Sequence, residues 1–336
     1  MNWLPHANSP RWLLSASPEM LIEARNLKKY FPIGHNQTVY AVDDVSLGME
    51  TNEVLGLVGE SGSGKTTFGK TLIGLHDKTG GEVIFEGKKL PATYTARDFK
   101  QQADKIQIIF QDPYSSLNPR MTIHEIIAEG LLIREGCSLS STRDRVVHWL
   151  ERVGLSSDHL SRYPHEFSGG QRQRAGIARA LIVEPKLVVC DEPISALDVS
   201  VQAQVVQLLS DLKDSMGLSM LFIAHDLSMV RYVSDRIAVM YLGSLIELGK
   251  ADDVYFEPMH PYTKLLVSSN PEPDPELERK REDAVITGEI PSPVNLKPGC
   301  RFAGRCPLAE ARCREERPLL RQITTDRQVA CHVVAA

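Results

Sequence analysis

An apolar run, Val54-Leu55-Gly56-Leu57-Val58, leads straight into Gly59-Glu60-Ser61-Gly62-Ser63-Gly64-Lys65-Thr66, and a helical pattern follows over Thr67–Leu75. This GxxxxGK[ST] loop between strand and helix restricts the chain more than any other feature, because only that context makes the motif a phosphate cradle. Glycines let the backbone curl its N–H groups around phosphate oxygens, and the following helix points its positive end at them. The pattern makes Gly59, Ser61, Gly62, Ser63, Gly64 and Thr67 the cradle. Lys65 then reaches the β- and γ-phosphates, and Thr66 offers its hydroxyl to Mg²⁺.

The rest of the pattern supplies a sheet for this loop. Ile106–Phe110, Leu187–Cys190 and Met220–Ile223 read as strands, and their continuous apolar character suits a parallel sheet covered on both faces. Val199–Met216 reads as a helix, with Val201, Val205, Leu208, Leu212 and Met216 recurring at three or four, Asp198 as N-cap and Gly217 beyond the end. Strand–helix alternation of this kind is an α/β layer fold. The stretch Asn118–Tyr163 breaks the alternation with helical periods at Ile123–Ile133 and Arg143–Val153, so it reads as a helical insertion.

A second apolar strand ends in adjacent carboxylates, Leu187-Val188-Val189-Cys190-Asp191-Glu192. Alternation along a strand turns Asp191 and Glu192 to opposite faces. Asp191 is then placed to hold Mg²⁺, through water, and Glu192 to orient and deprotonate an attacking water.

Composition narrows the class. With 336 residues the chain has room for about two domains, and its 42% hydrophobic and 24% charged residues exclude wholesale disorder. A formal net charge of -5 argues against a general nucleic-acid binder, and no apolar run is long enough to span a bilayer. Residues 1–20 lack a basic start and a continuous apolar stretch, so they read as a loose extension rather than a secretory signal, with Met20 as an alternative start. The compartment is then a reducing one, where disulfides are not expected. Cys190, inside an apolar strand, reads as a small buried hydrophobe.

Phe167-Ser168-Gly169-Gly170-Gln171, some way before Asp191, resembles the LSGGQ signature of ATP-binding-cassette (ABC) ATPases, with Phe167 in place of Leu. Read physically, Ser168, Gly169, Gly170 and Gln171 open a helix and make a second phosphate-sized anion site. One nucleotide does not need two such cradles far apart in a chain, whereas a head-to-tail pair of chains does, each completing the other's site. The remaining motifs of the family occur in order: Gln111 matches the Q-loop glutamine, Ser195-Ala196-Leu197-Asp198 the D-loop and His225 the switch histidine. Tyr30 matches the aromatic that stacks on adenine, with Phe31 and Tyr40 as alternatives.

The resemblance implies an α/β fold: a P-loop ABC ATPase core over 21–265, with an antiparallel β subdomain, a helical subdomain inserted at about 112–170, and a small Cys-rich extension at 266–336. It implies ATP and Mg²⁺ as ligands, with Glu192, His225 and Gln111 catalytic and Thr66, Gln111 and Asp191 around the metal. The segments Gln111–Arg120, Tyr163–Glu166, His260-Pro261-Tyr262-Thr263 and Gly288–Cys300 further resemble ATPase subunits of oligopeptide/dipeptide importers. That branch implies a second ATPase subunit, two membrane permeases, a substrate-binding protein reached through the permease, no nucleic acid, and a peripheral position on the cytoplasmic face of the membrane. Nickel, opine or oligosaccharide is the alternative cargo. Soluble ABC ATPases of translation or repair usually carry two cassettes or a long coiled coil, and a P-loop GTPase needs an Asn-Lys-x-Asp motif; the chain has none of these.

Cys300, Cys306, Cys313 and Cys331 crowd a Pro- and Arg-rich tail that lies beyond an acidic, proline-punctuated linker, Pro271–Asp283. So polar a segment needs a staple to fold. Four thiols without paired Cys-x2–4-Cys knuckles suit a 4Fe–4S cluster, as in related dipeptide-importer ATPases; zinc is the alternative, with His332 as a substitute ligand.

Overall fold

The computed structural model describes residues 20–34, 36–269 and 291–334. The expectations for residues 1–19, the acidic linker and Gly288–Ile290 lie outside the described residues.

Two sheets and a helical layer make the fold. β1 (Met20–Gly34) and β2 (Gln37–Glu50) pair with β4 (Gly80–Phe85) and β5 (Lys88–Lys89) in an antiparallel sheet of order β2-β1-β4-β5. The larger sheet is built from β3 (Val54–Val58), β6 (Ile106–Ile109), β7 (Leu187–Asp191), β8 (Ser219–Ala224), β9 (Arg236–Tyr241), β10 (Ser244–Lys250), β11 (Arg321–Thr324) and β12 (Arg327–Val329). Its order is β11-β12-β10-β9-β3-β8-β7-β6, parallel from β9 through β6 and antiparallel beyond.

The apolar strands of the sequence are this parallel half, and every residue of β3, β7 and β8 is buried. Alternation divides them between two cores. Leu55, Leu57, Val189, Leu221 and Ile223 face the antiparallel sheet together with Phe68 and Leu72 of α1 (Lys65–Leu72). Val54, Val58, Val188, Cys190, Phe222 and Ala224 face the helices instead. Cys190 is fully buried, and burial pushes its thiol up to about 12, so it behaves as the inert hydrophobe the strand needed. All six cysteines are free thiols.

After α2 (Ala96–Gln102) and β6 comes the helical insertion, α3 (Ile123–Glu135) and α4 (Arg143–Arg152), followed by α5 (Gly169–Leu181). α3 starts at a capping box in which Thr122 accepts from Glu125 N–H and the Glu125 carboxylate accepts from Thr122 N–H. α6 (Val199–Met216) has the expected limits and ends on Gly217 in the left-handed region, but its buried residues are Val205, Val206, Leu209 and Leu212. Val201, Leu208 and Met216, expected on that stripe, are only partly buried, because the helix is turned so that Val206 and Leu209 join Val205 and Leu212 on the packed face.

α7 (Leu227–Val233), α8 (Ala251–Phe256) and α9 (Pro261–Ser268) complete the helical side, and β11–β12 joins the tail to the sheet edge at β10. Glu247 of β10, fully buried, receives Arg327 Nε at 3.1 Å, Met259 N–H at 2.9 Å and His260 N–H at 3.0 Å. A buried pair of this kind survives only because each lone pair has a donor. His260 caps α9, its Nδ1 accepting from Tyr262 N–H at 3.0 Å.

Burial pushes the His260 imidazole down to about 3, against a weaker opposing bond to the Ala330 backbone. The folded chain therefore holds it neutral while the unfolded chain binds a proton near ~6.5. Above that pH His260 leaves stability unchanged; below it stability falls as the pH drops toward the folded value. Urea denaturation at pH 7, 6 and 4.5 should show a shallower acid-side loss in His260→Gln than in the parent. Parallel losses would mean that His260 is not the titrating group.

Candidate nucleotide site

Four adjacent strands deliver the site residues to one edge of the parallel sheet. Val58 of β3 pairs with Ala224 of β8, Asp191 of β7 with Ile223, and Ile109 of β6 with Cys190. The residues following those strand ends, Gly59, His225, Glu192 and Gln111, therefore share the carboxyl-terminal edge, where open α/β sheets bind ligands.

The phosphate loop is shaped by backbone approach. Gly59 has φ +155 and Gly64 φ +100; a Cβ on the first would lie 2.2 Å from Met240 O, and on the second 2.0 Å from Ala41 O. Only glycine fits either place. No side chain caps α1 at Gly64, which leaves the helix N-terminus facing the cavity with its N–H groups. Lys65 is 4% exposed, and its ammonium donates to Gly59 O at 2.7 Å and Glu60 O at 3.1 Å. Burial lowers its pKa, against the opposing pull of Glu192, Asp191 and Glu60. Thr66 donates its hydroxyl to the buried Asp191 carboxylate at 2.7 Å, and Lys70, not singled out in the sequence, lies 3.8 Å from the same carboxylate.

Glu192 is the meeting point. Gln111 Nε2 donates to its carboxylate at 2.8 Å, Lys65 Nζ lies at 4.0 Å and the exposed His225 Nδ1 at 3.9 Å. Its backbone sits at φ +46, a left-handed conformation that costs a non-glycine residue about 1–2 kcal/mol. Its N–H is bonded to Ile223 O at 3.0 Å, and Ser195 Oγ donates to its carbonyl at 3.1 Å, so the turn holds the carboxylate at the strand end.

A cavity of about 430 Å³ opens over the loop. Ser61, Gly62, Gly64, Lys65, Thr66 and Thr67 form one wall, Gln111 and Glu192 the end, and Phe31, Val39, Ala41 and Pro293 the other wall. Gly59, Ser63 and Asp191 do not line the cavity. Tyr30 is not on it: its hydroxyl is bonded to Asp43 and its ring lies 4.6 Å from that of Tyr40. Adjacent residues of a strand face opposite ways, so the aromatic on the cavity is Phe31. Pro293 lies in the importer-like segment Gly288–Cys300, but nothing in the sequence placed it at the nucleotide cavity. It arrives because Val294 bridges Val39 and Pro293 O accepts from Tyr40 N–H at 3.1 Å.

Ser168–Gln171 do not line this cavity. Ser168 caps α5 in a reciprocal box with Gln171, at 3.3 and 3.0 Å. Arg172, one residue on, reaches back to Pro164 O at 2.6 Å and lays its guanidinium 3.9 Å from the ring centre of Tyr114. The signature helix and the segment after Gln111 are thus tied together.

The four tail thiols form no closed ligand set. Burial pushes Cys300 up to about 11 against an opposing hydrogen bond from the Phe302 backbone, with smaller contributions from Cys313, Cys331 and Cys306, and the Cys300 N–H donates to Cys313 O at 2.7 Å. Among the described residues, no three His, Cys, Asp or Glu side chains are grouped so as to hold a metal ion.

Comparison with known proteins bears on this geometry. The family model described as "ABC transporter" matches residues 42–195, and "Oligopeptide/dipeptide transporter, C-terminal region" matches 246–313. The chain is 54% identical over 314 residues to a putative oligopeptide transport ATP-binding protein of Bacillus subtilis, covering 93% of this chain and 95% of the relative. It is 52% identical over 311 residues to the oligopeptide transport ATP-binding protein OppF of Salmonella typhimurium, covering 90% and 93%. Among solved structures, it superposes with a TM-score of 0.63 on the dimeric post-hydrolysis state of an ATP-binding cassette bound to ADP and phosphate, at 29% identity over 68% of this chain and 98% of the other.

Proposed function

The chain belongs to the ABC transporter ATP-binding family, and from that membership we propose that it is the ATP-hydrolysing subunit of an importer for oligopeptides. The meeting of Lys65, Gln111 and His225 on Glu192, beside the Thr66–Asp191 pair, carries this reading. Glu192 takes the proton of the attacking water as an O–P bond forms at the γ-phosphorus and the bond to the bridging oxygen breaks, leaving ADP and phosphate. Lys65 turns from its loop carbonyls to the β- and γ-phosphates, His225 contacts the γ-phosphate, and Gln111 reports its presence. The hard oxygens of Thr66 and Asp191, with Gln111, suit Mg²⁺, which would neutralise charge on the phosphate oxygens. Phe31 rather than Tyr30 is the ring that faces the base.

Because Ser168–Gln171 lie off the cavity, the anion site at the start of α5 serves the nucleotide of a second ATPase subunit. The partners follow: two such subunits, two permeases and, through the permease, a substrate-binding protein, with this chain peripheral on the cytoplasmic face. No described helix is long and apolar enough to cross a membrane. Residues 21–265 are read as the ATPase core, with about 112–170 as its helical part and 266–336 as the importer-type tail. For the tail, a 4Fe–4S cluster as a structural staple, with zinc the alternative, rests on the four thiols and the polar composition of the segment; the group would have to draw together Cys300, Cys306, Cys313 and Cys331, which form no such group among the described residues.

Glu192→Gln should bind ATP normally, lose at least about a hundredfold in turnover and accumulate as a closed dimer on gel filtration with ATP. Lys65→Ala should weaken nucleotide binding itself. Near-normal phosphate release from Glu192→Gln would remove Glu192 from the chemistry. The segment around Ser115–Thr122, tied to α5 through Tyr114, is read as the groove that docks the permease. Arg120→Glu should therefore lower the peptide taken up per ATP hydrolysed in reconstituted transporter while leaving the basal ATPase activity of the isolated subunit largely intact; an unchanged ratio would move docking elsewhere. Anaerobic purification should yield brown protein absorbing near ~400 nm. Colourless protein with stoichiometric zinc would replace iron–sulfur, and metal-free protein would remove the site.

A further inference from the structure

The His260–Thr263 segment and the Arg-rich tail have no task in hydrolysis, yet both end on the phosphate loop. Tyr262 is fully buried, and its hydroxyl accepts from Glu60 N–H at 2.8 Å. Its ring packs 4.6 Å from Tyr241 and 5.5 Å from Phe302, a tail residue. The Glu60 carboxylate is gripped at both oxygens by the Arg305 fork, at 2.9 and 3.1 Å, with the Arg305 side chain only 5% exposed. Arg305 also donates to the Tyr241 hydroxyl at 3.3 Å. Glu60 follows Gly59 directly, and its carbonyl receives Lys65 Nζ.

The electrostatics give this contact a direction. A carboxylate on the loop that receives a polyphosphate repels the ligand and competes for Lys65. A bidentate guanidinium cancels that charge and fixes the side chain away from the phosphates. The tail also braces the loop through a second set of contacts. Arg301 bonds both Asp43 and Leu242 O, and the next residue, Gly243, donates its N–H to Ser63 O at 2.8 Å.

We propose that Arg305 and Tyr262 are positioning residues of the nucleotide site, which act through Glu60 to neutralise and hold the phosphate loop, so that the C-terminal tail sets the affinity for ATP. The inference rests on the cavity being the ATP site. Fluorescent-ATP titration and steady-state hydrolysis of the full chain test it, with Lys65→Ala reporting on the site itself. Arg305→Met should raise Kd and KM for ATP about fivefold with kcat within about twofold. Glu60→Gln placed on Arg305→Met should restore KM to within about twofold of the parent, since the uncancelled charge is gone. Tyr262→Phe, which keeps the buried ring and removes only the hydroxyl, is the variant to read if Arg305→Met fails to fold, and should raise KM about threefold. Arg312→Met, in an exposed pair with Glu316, should change nothing. A fall in melting temperature and kcat with KM unmoved, or a defect that Glu60→Gln fails to relieve, would reduce these residues to structural supports and overturn the proposal. If Lys65→Ala also binds ATP normally, the cavity is not the ATP site and both readings fall.

Discussion

The parallel hydrogen-bond register of β3, β8, β7 and β6 is the constraint on which the site depends. Val58, Ala224, Asp191 and Ile109 are locked to neighbours along one edge, so the residues that follow them converge without any loop having to find its own path. Burial on both faces makes that register hard to slip. A shift by one residue would send the Leu55–Leu57 and Val54–Val58 sets into each other's cores. Glu192 shows how tightly the edge is specified. It keeps a left-handed backbone, at a cost, because β8 and Ser195 pin both of its peptide groups.

Features governed by local periodicity were legible in the sequence. The buried strands, the limits of α6 and the glycine loop follow from apolar runs, caps and a motif whose context is sequential. What was not legible depends on which face a residue takes at the end of an irregular strand. Tyr30 and Phe31 are adjacent aromatics, and the choice between them is made by Asp43, which holds the Tyr30 hydroxyl from β2. Asp43 is in turn occupied by Arg301 and Arg317, more than 250 residues away in sequence.

The tail escaped for the same reason. By composition it lacks a core, and it does not build one of its own. It lends Phe302 to the ring cluster of Tyr241 and Tyr262, Arg327 to the buried Glu247, and Pro293 to the wall of the cavity. Its polar residues are spent as single, well-placed partners of groups in the core. Such contacts leave no period in a sequence, since their partners are far off in the chain, as far as 274 residues for Arg317 and Asp43.

The pairing of β12 with β10 also orders events in time. Glu247 is synthesised long before Arg327, the residue that neutralises it inside the sheet. Until then a nascent chain carries an uncompensated carboxylate in its interior and an open strand edge at β10. The core therefore cannot reach its final stability on the ribosome while the tail is still in the exit tunnel. A chain cut short before β12 is left with both defects permanently, marked for chaperones and proteases rather than for assembly with a permease.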